Sequence, residues 1–167
     1  MTIFLLRFLS IVLLGLIGFQ DFKYRGVSWY LFPLLAVFLY ALNPMFLPEQ
    51  GVINVSFVLV IFALLTLWFS LRKGRLVNLL EQHIGMGDFL FLFCLSFYFS
   101  PGNFFLFYTL SLLVIVLSLL LYRWFSRALE MTVPLAGLQG MVLIGVLSTG
   151  WIMGVETGNA DFISLLL

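Results

Sequence analysis

The stretch "VINVSFVLVIFALLTLWFSL", residues 52–71, contains no charged side chain and is followed at once by Arg72 and Lys73. About 20 consecutive, mainly apolar residues are needed for an α-helix to cross a bilayer. Basic residues directly after such a run are typical of a helix end at the membrane surface. The stretch therefore predicts a membrane-spanning helix, and the rest of the chain can be divided by the same pattern.

The composition of the whole chain is that of an integral membrane protein. Of its 167 residues, 63% are hydrophobic and 9% are charged, and the mean hydropathy is +1.20. Soluble domains have roughly 45–50% apolar and about 25% charged residues. A net charge of +1 without a basic cluster also argues against a nucleic-acid surface. At about 20 residues for each helix, the chain accommodates one membrane domain and little else.

Six apolar segments can be recognised, and they predict an all-α membrane protein with six transmembrane helices in a single domain, residues 1–167. The first segment is interpreted as a permanent helix, because no small-residue cleavage site follows it. The fourth is short for a span, so its start is expected to be drawn into the protein interior. The segments cover residues of about 3–20, 28–47, 52–71, 88–100, 104–122 and 133–153.

The basic residues indicate how these helices are oriented. Seven of the eight basic residues fall after the first, third and fifth segments, and therefore on one side of the membrane: Lys23, Arg25, Arg72, Lys73, Arg75, Arg123 and Arg127. The positive-inside rule makes that side cytoplasmic, which places both termini on the other side. Residues 72–87, with apolar residues at helical spacing, are predicted to lie along the cytoplasmic surface as an amphipathic helix.

Two aspartates fall at the same depth in this topology. Asp21 lies at the cytoplasmic end of the first helix and Asp88 at the cytoplasmic start of the fourth. Each on its own could cap a helix or pair with a nearby basic residue. Carboxylates at a membrane boundary are nevertheless costly and usually face a cavity or a partner. Together, two close carboxylates can share a proton and act as acid and base on one water, which is aspartyl protease chemistry.

The residues around Asp88 support an approach by another chain. Gly85 and Gly87 are expected to allow a tight backbone turn and to leave space beside Asp88 for an extended substrate. The single cysteine, Cys94, cannot form an internal disulfide or a multi-cysteine zinc site. His83 is interpreted as a solvated loop residue, since a metal site needs several ligands. We expect no metal site and no organic cofactor.

Three segments resemble a known family. "GMGD" at 85–88, "DFKYRGVSW" at 21–29 and "VPLAGLQG" at 133–140 are similar to the motifs of the type IV prepilin peptidases, the GxGD class of intramembrane aspartyl proteases. The resemblance implies that Asp21 and Asp88 are the catalytic pair and that Gly85 and Gly87 are the motif glycines. Two positions depart from the family pattern: Ser28 stands where a proline is usual, and Leu90 where a lysine is usual.

The resemblance also implies an activity and a location. The family cleaves the short basic leader of prepilin-like or pseudopilin proteins at the cytoplasmic face of the inner membrane, without a cofactor. With one cysteine, this chain resembles the short form that lacks the methyltransferase and zinc-binding region. The implied partners are a prepilin-type substrate and membrane lipid, and the implied location is the cytoplasmic membrane, as a multi-pass protein.

Two other functions remain open from the sequence. One is a non-catalytic, divergent homologue that assists pilus-like assembly. The other is a proton-coupled transporter, since paired membrane carboxylates also serve proton relays. The predicted position of both aspartates at one membrane edge, and the lack of a clearly broken helix, favour the peptidase.

Overall fold

The computed structural model describes residues 2–74, 85–125, 134–155 and 157–159, and within them the chain is α-helical. Most of the predicted amphipathic segment 72–87 lies outside the described residues. The helices in the described part of the chain are α1 (Thr2–Tyr24), α2 (Leu31–Leu42), α3 (Pro48–Lys73), α4 (Met86–Leu95), α5 (Pro101–Phe125) and α6 (Leu135–Met153).

Four of these helices, α1, α3, α5 and α6, are long and apolar enough to cross a membrane. The prediction of an all-α fold is therefore confirmed for the described residues, and four of the six predicted spans correspond to helices that are long and apolar enough to cross a membrane. The other two are shorter than predicted, with 12 residues in α2 and 10 in α4. At 1.5 Å per residue they extend about 18 Å and about 15 Å, against a hydrocarbon core of roughly 30 Å.

Local turns limit α2, for which the sequence predicted 28–47. The N–H groups of Leu31 and Phe32 donate to the carbonyls of Ser28 and Trp29, which forms a turn before the helix. At the other end, Asn43 leaves the helical conformation, with φ −120° and ψ 80°. Since Asn43 precedes a proline, which disfavours helical backbone in the residue before it, the helix stops at Leu42.

Side-chain amides from distant parts of the chain limit α4, for which the sequence predicted 88–100. Asn54 Nδ2 of α3 donates to the carbonyls of Ser96 and Phe99, at 3.1 and 2.7 Å. Asn43 Nδ2 donates to the carbonyl of Tyr98 at 2.7 Å. In an apolar environment, carbonyls beyond a helix end must find donors within the protein. These two asparagines supply them, so the chain leaves the helix at Leu95 without exposing bare carbonyls to lipid.

The core lies where α1, α2, α4 and α6 meet. Its fully enclosed side chains include Leu14 and Ile17 of α1, Leu35 of α2, Phe91 and Leu95 of α4, and Leu143 and Leu147 of α6.

The helices α1 and α6 pack antiparallel: Asp21 contacts Gly137 near one end, and Arg7 contacts Trp151 near the other. Many large apolar side chains face outward, as expected for a surface in contact with lipid. The C-terminal end of α1 and the N-terminal ends of α4 and α6 meet at one end of the bundle, which we call the carboxylate end.

Candidate active site

The two predicted aspartates meet at the N-terminus of α6. Asp88 Oδ1 accepts a hydrogen bond of 2.7 Å from the N–H of Ala136, and Asp21 Oδ2 accepts one of 2.7 Å from the N–H of Gly137. The first N–H groups of a helix have no partner within it, and the helix dipole favours negative charge there. The turn that begins α6 therefore holds both carboxylates, each from a different helix.

The carboxylates are neighbours because their donors are neighbours. Ala136 and Gly137 are consecutive, and consecutive Cα atoms lie about 3.8 Å apart. Asp88 and Asp21 are close enough for the charge on one to repel the charge on the other. Asp21 is buried, with 9% of its surface exposed, and Asp88 is partly buried. The structure thus brings together the two residues to which the loop charges assigned one depth.

Asp88 also caps its own helix. Its Oδ2 accepts from the N–H of Gly85 at 3.2 Å, while its own N–H donates to the Gly85 carbonyl at 3.0 Å. The capping interpretation is thus confirmed, and it is compatible with a second role, because the other carboxylate oxygen reaches α6. The result is a side chain with both oxygens held by backbone N–H groups and little freedom to rotate.

The main chain of Asp21 also makes a hydrogen bond with the segment that follows α1. Its carbonyl accepts from the N–H of Arg25 at 3.1 Å, and Arg25 has a φ of 55° in the left-handed region. A residue in that conformation after the last helical turn is a common way to end a helix. Arg25 also attracts the Asp21 carboxylate electrostatically, so the segment after α1 contributes a favourable positive charge to this side of the site.

The glycines of the "GMGD" motif have ordinary backbone conformations and neighbours at ordinary contact distances. Gly85 has φ −65° and ψ 144°, which any residue adopts, so the prediction of a tight turn that needs glycine there is wrong. A Cβ on Gly85 would lie 3.5 Å from Asp88 Oδ2, and one on Gly87 would lie 3.7 Å from Phe32. Both are normal contact distances, so what these glycines contribute is a small surface beside Asp88.

Beside the two carboxylates, the glycine that close packing requires is Gly137, to which the sequence interpretation gave no role. A Cβ there would lie 3.1 Å from Asp21 Oδ2, 3.2 Å from Asp21 Cβ and 3.3 Å from the Phe22 ring. Ala136 and Gly137 contribute main-chain donors, and a main-chain donor leaves no side-chain pattern in a sequence. The only available signal was the "VPLAGLQG" segment, whose small residues follow a proline at the helix start.

The two positions that depart from the family pattern have structural roles. Leu90 is partly buried and packs against the apolar core, and the N–H of Ser28 donates to Gln20 Oε1 at 2.8 Å. Cys94 is buried, with its sulfur 3.0 Å from the carbonyl of Phe32. His83 lies outside the described residues. Among the residues that are described, no group of three or more His, Cys, Asp and Glu could hold a metal ion.

No protein-family model, no curated protein and no solved structure matches this chain. Because a fold can host many unrelated activities, an assignment of function has to come from the chemistry of the site itself. Here that chemistry is a pair of adjacent carboxylates fixed by backbone donors.

Proposed function

We propose that this protein is a membrane aspartic endopeptidase in which Asp21 and Asp88 are the catalytic residues. The observation that carries the proposal is the pair of 2.7 Å hydrogen bonds from consecutive N–H groups, those of Ala136 and Gly137, to the two carboxylates. Paired carboxylates that share a proton provide an acid and a base in one site, which is what hydrolysis of a peptide bond by an activated water requires.

The proposed reaction uses one water and one shared proton. With like charges so close, the pair holds a proton between its two members. The ionised carboxylate removes a proton from the water, whose oxygen attacks the scissile carbonyl carbon. The protonated carboxyl group then donates its proton to the amide nitrogen as the carbon–nitrogen bond breaks. The N–H groups of α6 hold the carboxylates in place throughout, so little reorganisation accompanies the transfer.

The proposed substrate is a prepilin-like or pseudopilin protein, cleaved between its basic leader and its apolar helix. This substrate class comes from the resemblance of "GMGD" and "DFKYRGVSW" to the prepilin peptidases. The charge on the loops supports a cytoplasmic position for the site, because seven of the eight basic residues follow the first, third and fifth apolar segments. The proposed topology is six passes of the inner membrane with both termini outside, in which α2 and α4 cross together with their flanking turns.

The test is cleavage of a synthetic prepilin-type peptide, a basic leader joined to an apolar helix, by the purified protein in lipid vesicles. We compare the wild type with Asp21→Asn and Asp88→Asn, which keep the side-chain shape and remove the acid. Loss of an essential member of a catalytic unit is expected to lower the cleavage rate by about a thousandfold or more. The control is Glu49→Gln in the first turn of α3, which should cleave at the wild-type rate.

The outcomes separate the three functions. Wild-type cleavage with loss in both asparagine variants supports the peptidase, and unimpaired cleavage by either variant contradicts it. Proton flux across the vesicle membrane that requires both aspartates, without cleavage, identifies a transporter. Capture of the intact peptide without cleavage or flux identifies a non-catalytic assembly partner.

A further inference from the structure

A second polar feature lies at the opposite end of the bundle from the carboxylates. The guanidinium of Arg7, on α1, stacks over the indole ring of Trp151, on α6, with Cζ 5.2 Å from the ring centroid. Arg7 Nε is enclosed by protein and makes no hydrogen bond. The face of the guanidinium thus makes a cation–π contact with the indole ring, while the buried N–H at Nε, on its edge, has no acceptor.

This arginine lies deep in a span. Arg7 precedes Asp21 by 14 residues, so the two are about 21 Å apart along α1. With the carboxylate end at one boundary of a hydrocarbon core of roughly 30 Å, Arg7 falls inside the core, nearer to the opposite surface. A cation at such a depth is costly unless its donors meet acceptors or it reaches toward the interface.

A groove of about 400 Å³ opens beside Arg7 between α1 and α6. Its rim is apolar and exposed to the membrane: Phe4, Phe8 and Ile152 have 78%, 57% and 85% of their surfaces exposed. Its partly buried members include Arg7, Trp151 and Ser148. The groove therefore combines a hydrocarbon-facing rim with a cation and a hydroxyl group deeper in.

We propose that this groove binds an anionic phospholipid of the leaflet opposite the carboxylate end. One acyl chain would lie along the apolar rim, and the phosphate oxygens would accept hydrogen bonds from the groove side of the Arg7 guanidinium. A phosphate supplies a negative charge and acceptors for the guanidinium N–H groups on the groove side, whereas Nε stays enclosed by protein, and arginine binds phosphate with its planar donor edge. Trp151, which also lines the groove, holds the guanidinium through the cation–π contact. The site is independent of the proposed peptidase activity, because none of its residues touches the carboxylates.

The test uses Trp151 as the reporter. In a variant whose other tryptophans, Trp29, Trp68 and Trp124, are replaced by phenylalanine, only Trp151 fluoresces. The protein is reconstituted in vesicles of unbrominated phosphatidylcholine. Increasing fractions of a brominated lipid are then included, either phosphatidylglycerol or phosphatidylcholine with the same brominated acyl chains, which quench tryptophan on contact. One basic residue near a membrane surface contributes about 1 kcal/mol to the binding of anionic lipid, which corresponds to an about fivefold higher affinity. Half-maximal quenching is therefore expected at an about fivefold lower fraction of brominated phosphatidylglycerol.

Matched variants assign that preference to Arg7. In the same single-tryptophan background, Arg7→Gln should quench equally with both lipids, whereas Arg7→Lys, which keeps the charge, should retain most of the preference. Arg72→Gln, at the other end of the bundle, removes one positive charge without touching the groove and should behave like the parent. Equal quenching by both lipids in the parent, or a preference that survives Arg7→Gln, would overturn the proposal.

Discussion

Gly137 is the residue at which the backbone of α6 touches Asp21 most closely. A methyl group there would fall 3.1 Å from the carboxylate oxygen that this backbone binds. Gly137→Ala should therefore push Asp21 away from its N–H donor while leaving the helix itself intact, since alanine favours a helix. Because misplacement by about 1 Å can cost on the order of a hundredfold in rate, we expect the peptide cleavage rate to fall about 10- to 100-fold.

The same helix provides a matched control. A Cβ on Gly145 would meet nothing within 4 Å, so Gly145→Ala makes the same chemical change in open surroundings. Its cleavage rate should equal that of the wild type, and circular dichroism should show the same helix content for both variants. Wild-type cleavage by Gly137→Ala would show that the contact between α6 and Asp21 is not needed for activity.

Among the helices, the bounds of the long spans could be predicted closely from sequence, whereas the two short helices were predicted with bounds that extend too far. The predicted segments 52–71, 104–122 and 133–153 fall within or close to α3, α5 and α6. A long apolar run bounded by charge or proline is a local property, and local properties are visible in a sequence. The end of α4 depends instead on Asn43 and Asn54, which lie more than 40 residues away in the chain.

In the candidate site, too, one part could be predicted from the sequence and another could not. Asp21 and Asp88 could be paired from sequence, because loop charges place helix ends on one side or the other and so assign both residues one depth. Their partners are main-chain N–H groups of α6. Ala136 binds Asp88 from 48 residues away in the chain, and Gly137 binds Asp21 from 116 residues away. Nothing in side-chain chemistry marks such donors, so only the packing of α1 and α4 against α6 reveals them.

The asparagine that ends α4 is expected to be important for stability. Asn54 is 1% exposed, and its amide serves two carbonyls, those of Ser96 and Phe99. Asn54→Leu keeps the volume but leaves both carbonyls without this donor. Since each unsatisfied buried group costs about 1–3 kcal/mol, we expect the free energy of unfolding to fall by about 2–4 kcal/mol, measured by denaturant unfolding in detergent.

Ser56 offers the control on the same helix. Its hydroxyl is exposed and donates only to the carbonyl of Val52, one turn earlier in α3. Ser56→Ala should change the free energy of unfolding by no more than about 0.5 kcal/mol. If Asn54→Leu behaved like Ser56→Ala, the carbonyls at the end of α4 would have to find other donors, and the explanation for the short helix would be wrong.

For the whole molecule, the unequal helix lengths give the bundle a thin side. The helices α3 and α5 have 26 and 25 residues, or about 39 and about 38 Å, whereas α2 and α4, which pack against each other, extend only about 18 and about 15 Å. The outer face of α2 carries exposed apolar side chains, Leu34 and Val37, so lipid meets this short helix directly. In the proposed six-pass topology, the bilayer thins beside α2 or the long helices tilt, so that the turns flanking α2 reach both membrane surfaces.

A thin bilayer should therefore suit the active protein better than a thick one. Thick hydrocarbon would cover the polar turns that flank α2, at Ser28 and Asn43, and would hinder water from reaching the carboxylate end. Since mismatch costs fractions of a kcal/mol per Å, we expect the peptide cleavage rate to be at least about threefold higher in short-chain than in long-chain phosphatidylcholine vesicles. Both preparations, once dissolved in one detergent, should cleave at equal rates, which controls for the amount of folded protein. A rate that is equal or higher in the long-chain vesicles would mean that α2 and α4 cross a full-thickness bilayer with their flanking turns already matched to it.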